Sequence, residues 1–278
     1  MIVAKSKIGL TEVEALYDTI DRIQLEVLGD HVHHGLWVTG QESVAQAQES
    51  MVRLVAELAH VVAGSRVCDI GCGYGGTARM LAKELGAQVT GYTICRAQHA
   101  AAASAAKSGC DFVLGDWLEN RLPAASVDAL VAIESSEHFV DKAAFFSEAR
   151  RLLTSDGRLV VCTWLACEAP SRWQRRLLLH PICRDNRFPS LGSELDYRQL
   201  IEGAGLGVEE FQDRTADVER TWRSNVLVGI KALRSSRARR QLRNHSQDAR
   251  FMLKNALRIS LAYRLGALRY GVWVARNI

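Results

Sequence analysis

Three observations predict a doubly wound α/β fold built on a parallel sheet. From Ser65 onward, short β-branched apolar runs alternate with helical stretches. The run 127–133 is apolar almost throughout, as expected of a strand buried on both faces. The first run ends in Val67-Cys68-Asp69-Ile70-Gly71-Cys72-Gly73-Tyr74-Gly75-Gly76, which reads as strand, tight turn and helix. Its glycines let the backbone approach a ligand closely, and the helix start offers free N–H groups. A chain of 278 residues, 48 % of them hydrophobic, can bury the core of one large domain or of one domain with an inserted cap.

The elements follow in order. Residues 11–29 repeat apolar side chains at helical spacing: Val13, Leu16, Tyr17, Ile20, Ile23, Val27 and Leu28. A polar linker, 29–40, precedes a second amphipathic helix over 42–63. The first strand, 67–70, leads to a helix over 77–85 that Gly86 stops. Strands at 88–92, 111–114, 127–133 and 158–164 alternate with an alanine-rich helix at 96–107 and a helix at 141–153. After the fifth strand the pattern changes. Residues 168–189 are rich in Arg and divided by Pro170, Pro181 and Pro189, with a helix break expected at Pro181. A helix at 197–204, a strand at 207–211, mostly helical residues over 217–266 and a closing strand at 267–275 complete the chain. The division expected is N-terminal helices (1–63), ligand-binding core (64–167), helical cap with the 207–211 strand (168–266) and closing strand (267–278). In such sheets ligands bind at the carboxyl ends of the strands.

Bulk properties narrow the function. A net charge of +4 is too small to argue for nucleic acid, and the basic run 237–243 has no aromatic residues interleaved. No apolar run approaches the length of a bilayer span, and the N-terminus lacks a signal-peptide core, so a cytoplasmic protein is expected. Seven cysteines without Cys-x-x-Cys spacing read as reduced, buried thiols. His31, His33 and His34 have no matching acids or cysteines, so no metal site is expected. A homo-oligomer is left open.

The chemistry-bearing residues follow successive strands. Asp69, Gly71 and Gly73 occupy the first turn. A glycine turn alone also fits dinucleotide binders, but the acid that reads a nicotinamide-cofactor ribose after strand two is missing; Thr93, Ile94 and Gln98 stand there instead. Asp116 and Trp117 follow strand three, and Glu134-Ser135-Ser136-Glu137-His138 follows strand four. A helix starting at Glu134 places Glu134 and His138 on one face at i,i+4.

These pieces, together with Tyr17-Asp18, His33-x-Gly35-x-Trp37, Gly91-Tyr92-Thr93-x(4)-Gln98 and Val161-Cys162-Thr163-Trp164, resemble the class I S-adenosylmethionine (SAM) methyltransferases of small molecules. The branch resembled holds the tocopherol methyltransferases and the bacterial terpenoid C-methyltransferases. The resemblance implies a Rossmann-like fold of seven strands with N-terminal lid helices and a helical cap insertion. It implies SAM as cofactor, held by Tyr17 and Trp37 in the lid and by Asp69, Gly71, Gly73, Thr93, Ile94, Gln98, Asp116, Trp117 and Glu134. It also implies Glu134 and His138 as the catalytic pair. An imidazole suits a base near neutral pH, and a carboxylate or the Trp164 face suits a cationic intermediate.

The cap departs from the tocopherol branch, which is more acidic there. Arg172 and Arg176, with Trp173 between them, read either as a solvated face or as a substrate-binding site for an anionic group. Arg237, Arg239, Arg240 and Arg243 form a second basic run, exposed or against an anionic membrane surface. The expected reaction is C-methylation of a hydrophobic acceptor, a prenylated aromatic or terpenoid. Alternatives are a prenyl diphosphate acceptor, O- or N-methylation of an aromatic or sugar product, and a SAM-binding cyclase or scaffold without methyl transfer.

Overall fold

The computed structural model describes residues 1–4, 8–15, 30–224 and 246–278. A two-residue strand β1 (Ile2–Val3) precedes the core. The core runs α1 (Val44–Leu58), β2 (Arg66–Ile70), α2 (Gly76–Leu85), β3 (Gln88–Thr93), α3 (Arg96–Ser104), β4 (Cys110–Leu114), β5 (Val127–Ile133), α4 (Lys142–Leu152) and β6 (Leu153–Ala166). Then come a helical stretch over 172–185, β7 (Ser190–Leu191), α5 (Glu194–Gly203), β8 (Leu206–Asp213), a short helix Thr215–Val218, α6 (Ser246–Arg264) and β9 (Leu268–Asn277). The five strands expected of the core are thus β2 to β6.

Seven strands form one sheet in the order β4-β3-β2-β5-β6-β9-β8. β2 to β6 are parallel, and β9 runs antiparallel between β6 and β8. The closing strand is therefore interior to the sheet, which explains its near-continuous apolar character. β1 and β7 pair in a separate small ribbon. The strand order reverses at the β2–β5 junction, where parallel sheets open a ligand crevice.

Both faces of the sheet are covered. Met51, Val52 and Val55 of α1, Leu81 of α2 and Ile259 and Ala262 of α6 bury one face. Phe145, Phe146 and Leu152 of α4 and Tyr197 and Ile201 of α5 bury the other. α1 starts on a Ser43–Gln46 capping box and ends at Leu58, short of the expected residue 63, because His60 turns with φ +54°. Pro181 does not break its helix. Helical dihedrals continue through His180, with a π turn over Arg175–Leu179 and the proline seated in the first turn of His180–Asp185, where a missing N–H costs little. All seven cysteines are free, as expected.

Candidate active site

The carboxyl ends of β2 to β5 open onto a cavity of about 990 Å³, its mouth included. Asp69, Gly71, Gly73, Thr93, Ile94, Gln98, Asp116, Trp117, Glu134 and His138 all line it, brought together from four segments. Gly71 takes φ +78°, and a Cβ there would lie 2.4 Å from the Ser135 Cβ, so only glycine lets the first turn press against the end of β5. A Cβ on Gly73 or Gly115 would meet nothing within 4 Å, which leaves a cradle for a ligand. Asp69 is buried, and its Oδ2 has no hydrogen-bond partner among the described residues. Burial, partly offset by a backbone donor from Ala78, pushes its carboxyl up to about 7. A buried acceptor without a donor fits the ammonium group of an amino-acid moiety.

The side chains after β3 and β4 are set by local bonds. Thr93 Oγ1 accepts from Cys95 N (3.2 Å) and donates to Gln98 Oε1 (3.1 Å), which leaves the Gln98 NH₂ as donor to a ligand. Asp116 Oδ1 caps the turn Trp117–Glu119 by accepting from Leu118 N (3.0 Å). Trp117 is buried against Phe139 and Phe145 and forms one wall. Together these groups fit SAM: an acid for its amino group, polar groups for its ribose, and an acid beside an aromatic wall for its adenine.

Glu134 differs from its sequence expectation. It sits at φ +55° and starts no helix; Ser136–His138 form a single tight turn, so the i,i+4 face with His138 does not exist. Its carboxylate is taken up by protein donors. Oε1 accepts from His34 N (2.7 Å), His34 Nδ1 (2.8 Å) and Tyr270 Oη (2.9 Å), and Oε2 accepts from Trp164 Nε1 (2.9 Å). Burial opposes ionisation, but the His34 ring and the other donors outweigh it and hold the carboxyl down at about 2. On the far side of the His34 ring, Trp222 Nε1 donates to Nε2 at 2.6 Å. An indole N–H only donates, so Nε2 is bare and Nδ1 carries the proton that Glu134 accepts. Trp164, Trp222, Tyr263 and Tyr270 surround the same ring at centroid distances of 4.9–5.9 Å. Glu134 is thus a fixed anion that ties the loop at His34 to β5, β6 and β9, which suits positioning rather than proton transfer.

His138 faces the cavity, with its Nδ1–H donating to Arg187 O (3.3 Å) and its ring edge-on to Phe188. Burial, reinforced by Lys142, pushes it down to about 4, so the ring is neutral at physiological pH. Glu137 is fully buried beside the site and accepts from Trp164 N (2.6 Å). Burial drives it up to about 7 despite that bond. Lys142 donates to Glu137 O, Phe139 O and Ser190 Oγ, which fixes the turn that carries His138.

Other expected site residues lie elsewhere. Trp37 does not line the cavity: its Nε1 donates to Thr221 Oγ1 (3.0 Å), and Arg220 stacks over its ring, so it anchors the 31–40 loop to the cap. Trp164 is buried against His34 and Phe188, behind Glu134 rather than at the cavity wall. Arg172, Trp173 and Arg176 are solvent-exposed and line no part of the cavity, because their helical stretch turns these positions outward. Tyr17 and Arg237, Arg239, Arg240 and Arg243 lie outside the described residues. His34 and Tyr270 were missed by sequence reasoning. The motif around His33 pointed at the right loop, but no local signal singled out the second histidine.

The family model described as "Mycolic acid cyclopropane synthetase" matches residues 5–243. A probable chloroplastic tocopherol O-methyltransferase of Oryza sativa subsp. japonica is 32 % identical over 238 residues, 78 % of this chain and 64 % of that protein, so the match spans less than two thirds of the relative's length. Among solved structures, the cyclopropane synthase MmaA2 from Mycobacterium tuberculosis superimposes with a TM-score of 0.85 at 20 % identity, covering 96 % of this chain and 98 % of that one. The geranyl diphosphate C-methyltransferase from Streptomyces coelicolor A3(2), solved with Mg²⁺, geranyl diphosphate and S-adenosylhomocysteine, gives 0.75 at 18 % identity and 97 % coverage of each chain. At these identities the two structures establish the shared fold.

Proposed function

Because the chain belongs to the mycolic acid cyclopropane synthetase family of SAM-dependent methyltransferases, we propose that it methylates a carbon atom of a neutral, hydrophobic small molecule, a prenylated aromatic or a terpenoid. The observation that carries this reading is the charge of the cavity. Among the described residues its lining includes Asp30, Asp69, Asp116 and Glu134, together with three histidines, and no Lys or Arg. Such a wall attracts a cationic cofactor and offers no cation to a phosphate or carboxylate of an acceptor. The arginines that motivated an anionic acceptor, Arg172 and Arg176, lie outside it.

When bound, SAM supplies a methyl group activated on a sulfonium. Asp69 would accept from its ammonium group, Gln98 would donate to its ribose, and Asp116 with Trp117 would hold its adenine. The apolar walls exclude water around the reacting atoms. His138 would accept the proton that the acceptor carbon releases once it carries the added methyl group. A neutral imidazole of low basicity is sufficient, because a cationic carbon intermediate releases its proton readily.

The test is mass spectrometry after incubation with methyl-deuterated SAM. One arm holds neutral prenylated phenols and terpenoids; the other holds prenyl diphosphates with Mg²⁺. The reading expects trideuteromethyl label in the neutral arm. Label confined to the diphosphate arm, or on oxygen rather than carbon, would overturn it.

A further inference from the structure

The chain's positive charge is concentrated in the cap. Residues 170–190 hold five arginines and one aspartate, and residues 246–265 hold four cations and one aspartate. These two segments carry +4 and +3, against +4 for the whole chain, so the remainder is −3. The fold places them side by side: Gln174 Nε2 donates to Leu265 O at 3.2 Å, at the end of α6.

This shared face is also apolar. Trp173 (48 % exposed) and Leu177 (59 %) stand one helical turn apart, and Leu257, Leu261 and Leu265 form an exposed i,i+4,i+8 row beside them. Arg172, Arg176, Lys254 and Arg264 are interleaved and exposed. None of these four pairs with a carboxylate among the described residues, whereas Arg66, Arg151, Arg158 and Arg269 on the core all do. None of the nine lines the cavity, so the patch is an exposed surface feature separate from the site.

We propose that this cap face docks the protein onto the surface of an anionic lipid bilayer. Exposed Trp and Leu among unpaired Arg and Lys is the composition of helices that lie in a membrane interface. The cations draw the face to anionic headgroups, and the apolar side chains enter the headgroup boundary. Among the described residues no helix is long and apolar enough to cross a membrane, so the contact is peripheral. The benefit rests on the proposed hydrophobic acceptor, which dissolves in the bilayer and reaches the protein there.

The test is co-sedimentation of the full chain with vesicles of phosphatidylcholine alone and of phosphatidylcholine with phosphatidylglycerol. The chain is expected to bind only the anionic vesicles, and less at high salt. The double variant Arg172→Glu/Arg176→Glu should bind at least about 30-fold more weakly, taking about 1 kcal/mol per cation at the surface and a tenfold change per 1.4 kcal/mol. Leu177→Ser/Leu261→Ser should lose roughly tenfold or more, from two leucines withdrawn from the interface. SAM binding by the same samples reports that each variant is folded. Failure to bind either vesicle, equal binding to both, or unchanged binding by the arginine variant overturns the proposal. So does retention on immobilised polyglutamate without vesicle binding, which assigns the patch to an acidic protein. No acceptor is present, so a negative vesicle result leaves the methyl-transfer reading standing, and a failed methyl-transfer assay leaves the vesicle result standing.

Discussion

Replacing Glu134 separates a positioning anion from a catalytic base. In Glu134→Ala, four donors lose their acceptor: His34 N, His34 Nδ1, Tyr270 Oη and Trp164 Nε1. A buried donor left unmade costs about 1–3 kcal/mol. At the low end, because water from the cavity can reach the site, the loss is about 4 kcal/mol. Glu134→Gln is milder. With its oxygen at the Oε1 position it keeps three bonds and turns its NH₂ toward the Trp164 indole N–H, a donor–donor mismatch of about 1–2 kcal/mol. At about 2–4 °C per kcal/mol for large domains, the melting temperature should fall by about 8–16 °C for Ala and about 2–8 °C for Gln. Thermal unfolding with a SAM titration at each pH measures both. The carboxyl is held at about 2 against an unfolded value of 4.5, so its contribution is complete above about pH 4.5 and is lost as pH falls toward 2. Glu134→Gln should lack that acid-side loss. If Glu134→Gln melts like the wild type while turnover falls by about 10²-fold or more, the scale of a lost general base, the positioning argument is wrong.

Three further outcomes follow. Asp69 is protonated below about 7, so SAM affinity should rise with pH through that value, and Asp69→Asn should flatten the profile in calorimetric titrations; a parallel slope in the variant would point to another group. His138→Gln should cut turnover by about 10²–10⁴-fold while SAM affinity holds, as read by single-turnover kinetics; equal losses in both would make it structural. Gly71→Ala combines φ +78° with a Cβ 2.4 Å from that of Ser135, so urea unfolding should show destabilisation of at least about 1–3 kcal/mol; wild-type stability would refute the tight turn.

The parallel core was legible because its signals are local. Val127–Ile133 was read to the residue from its unbroken apolar run, and the stop at Gly86 from a glycine that adopts φ +70°. The cavity-lining residues were legible for the same reason: each lies within a few positions of a strand end, and parallel strands bring those ends together. Contacts distant in sequence were not. His34 meets Glu134 across 100 positions and Trp222 across 188, and no periodicity encodes such a pairing. The positions of Trp164 and Trp37, both off the cavity wall, were not legible either. An indole near a strand end or in a lid motif has no sequence mark that tells a cavity wall from a hydrogen-bonded anchor. Glu134 was misread as a helix start because a non-glycine residue at φ +55° is uncommon, and its cost here is offset by the four bonds its carboxylate makes.

Whether SAM occupies the glycine-lined cavity is decided at Gly73. Its φ is +53°, and a Cβ there enters open space within the cavity. Asn is the substitution best suited to that backbone, so Gly73→Asn should fold at little cost and put a side chain where the cofactor lies. Calorimetric titration should show SAM binding to the wild type and its loss from Gly73→Asn, with melting temperatures close together. Undiminished SAM binding by the folded variant would contradict this placement of the cofactor.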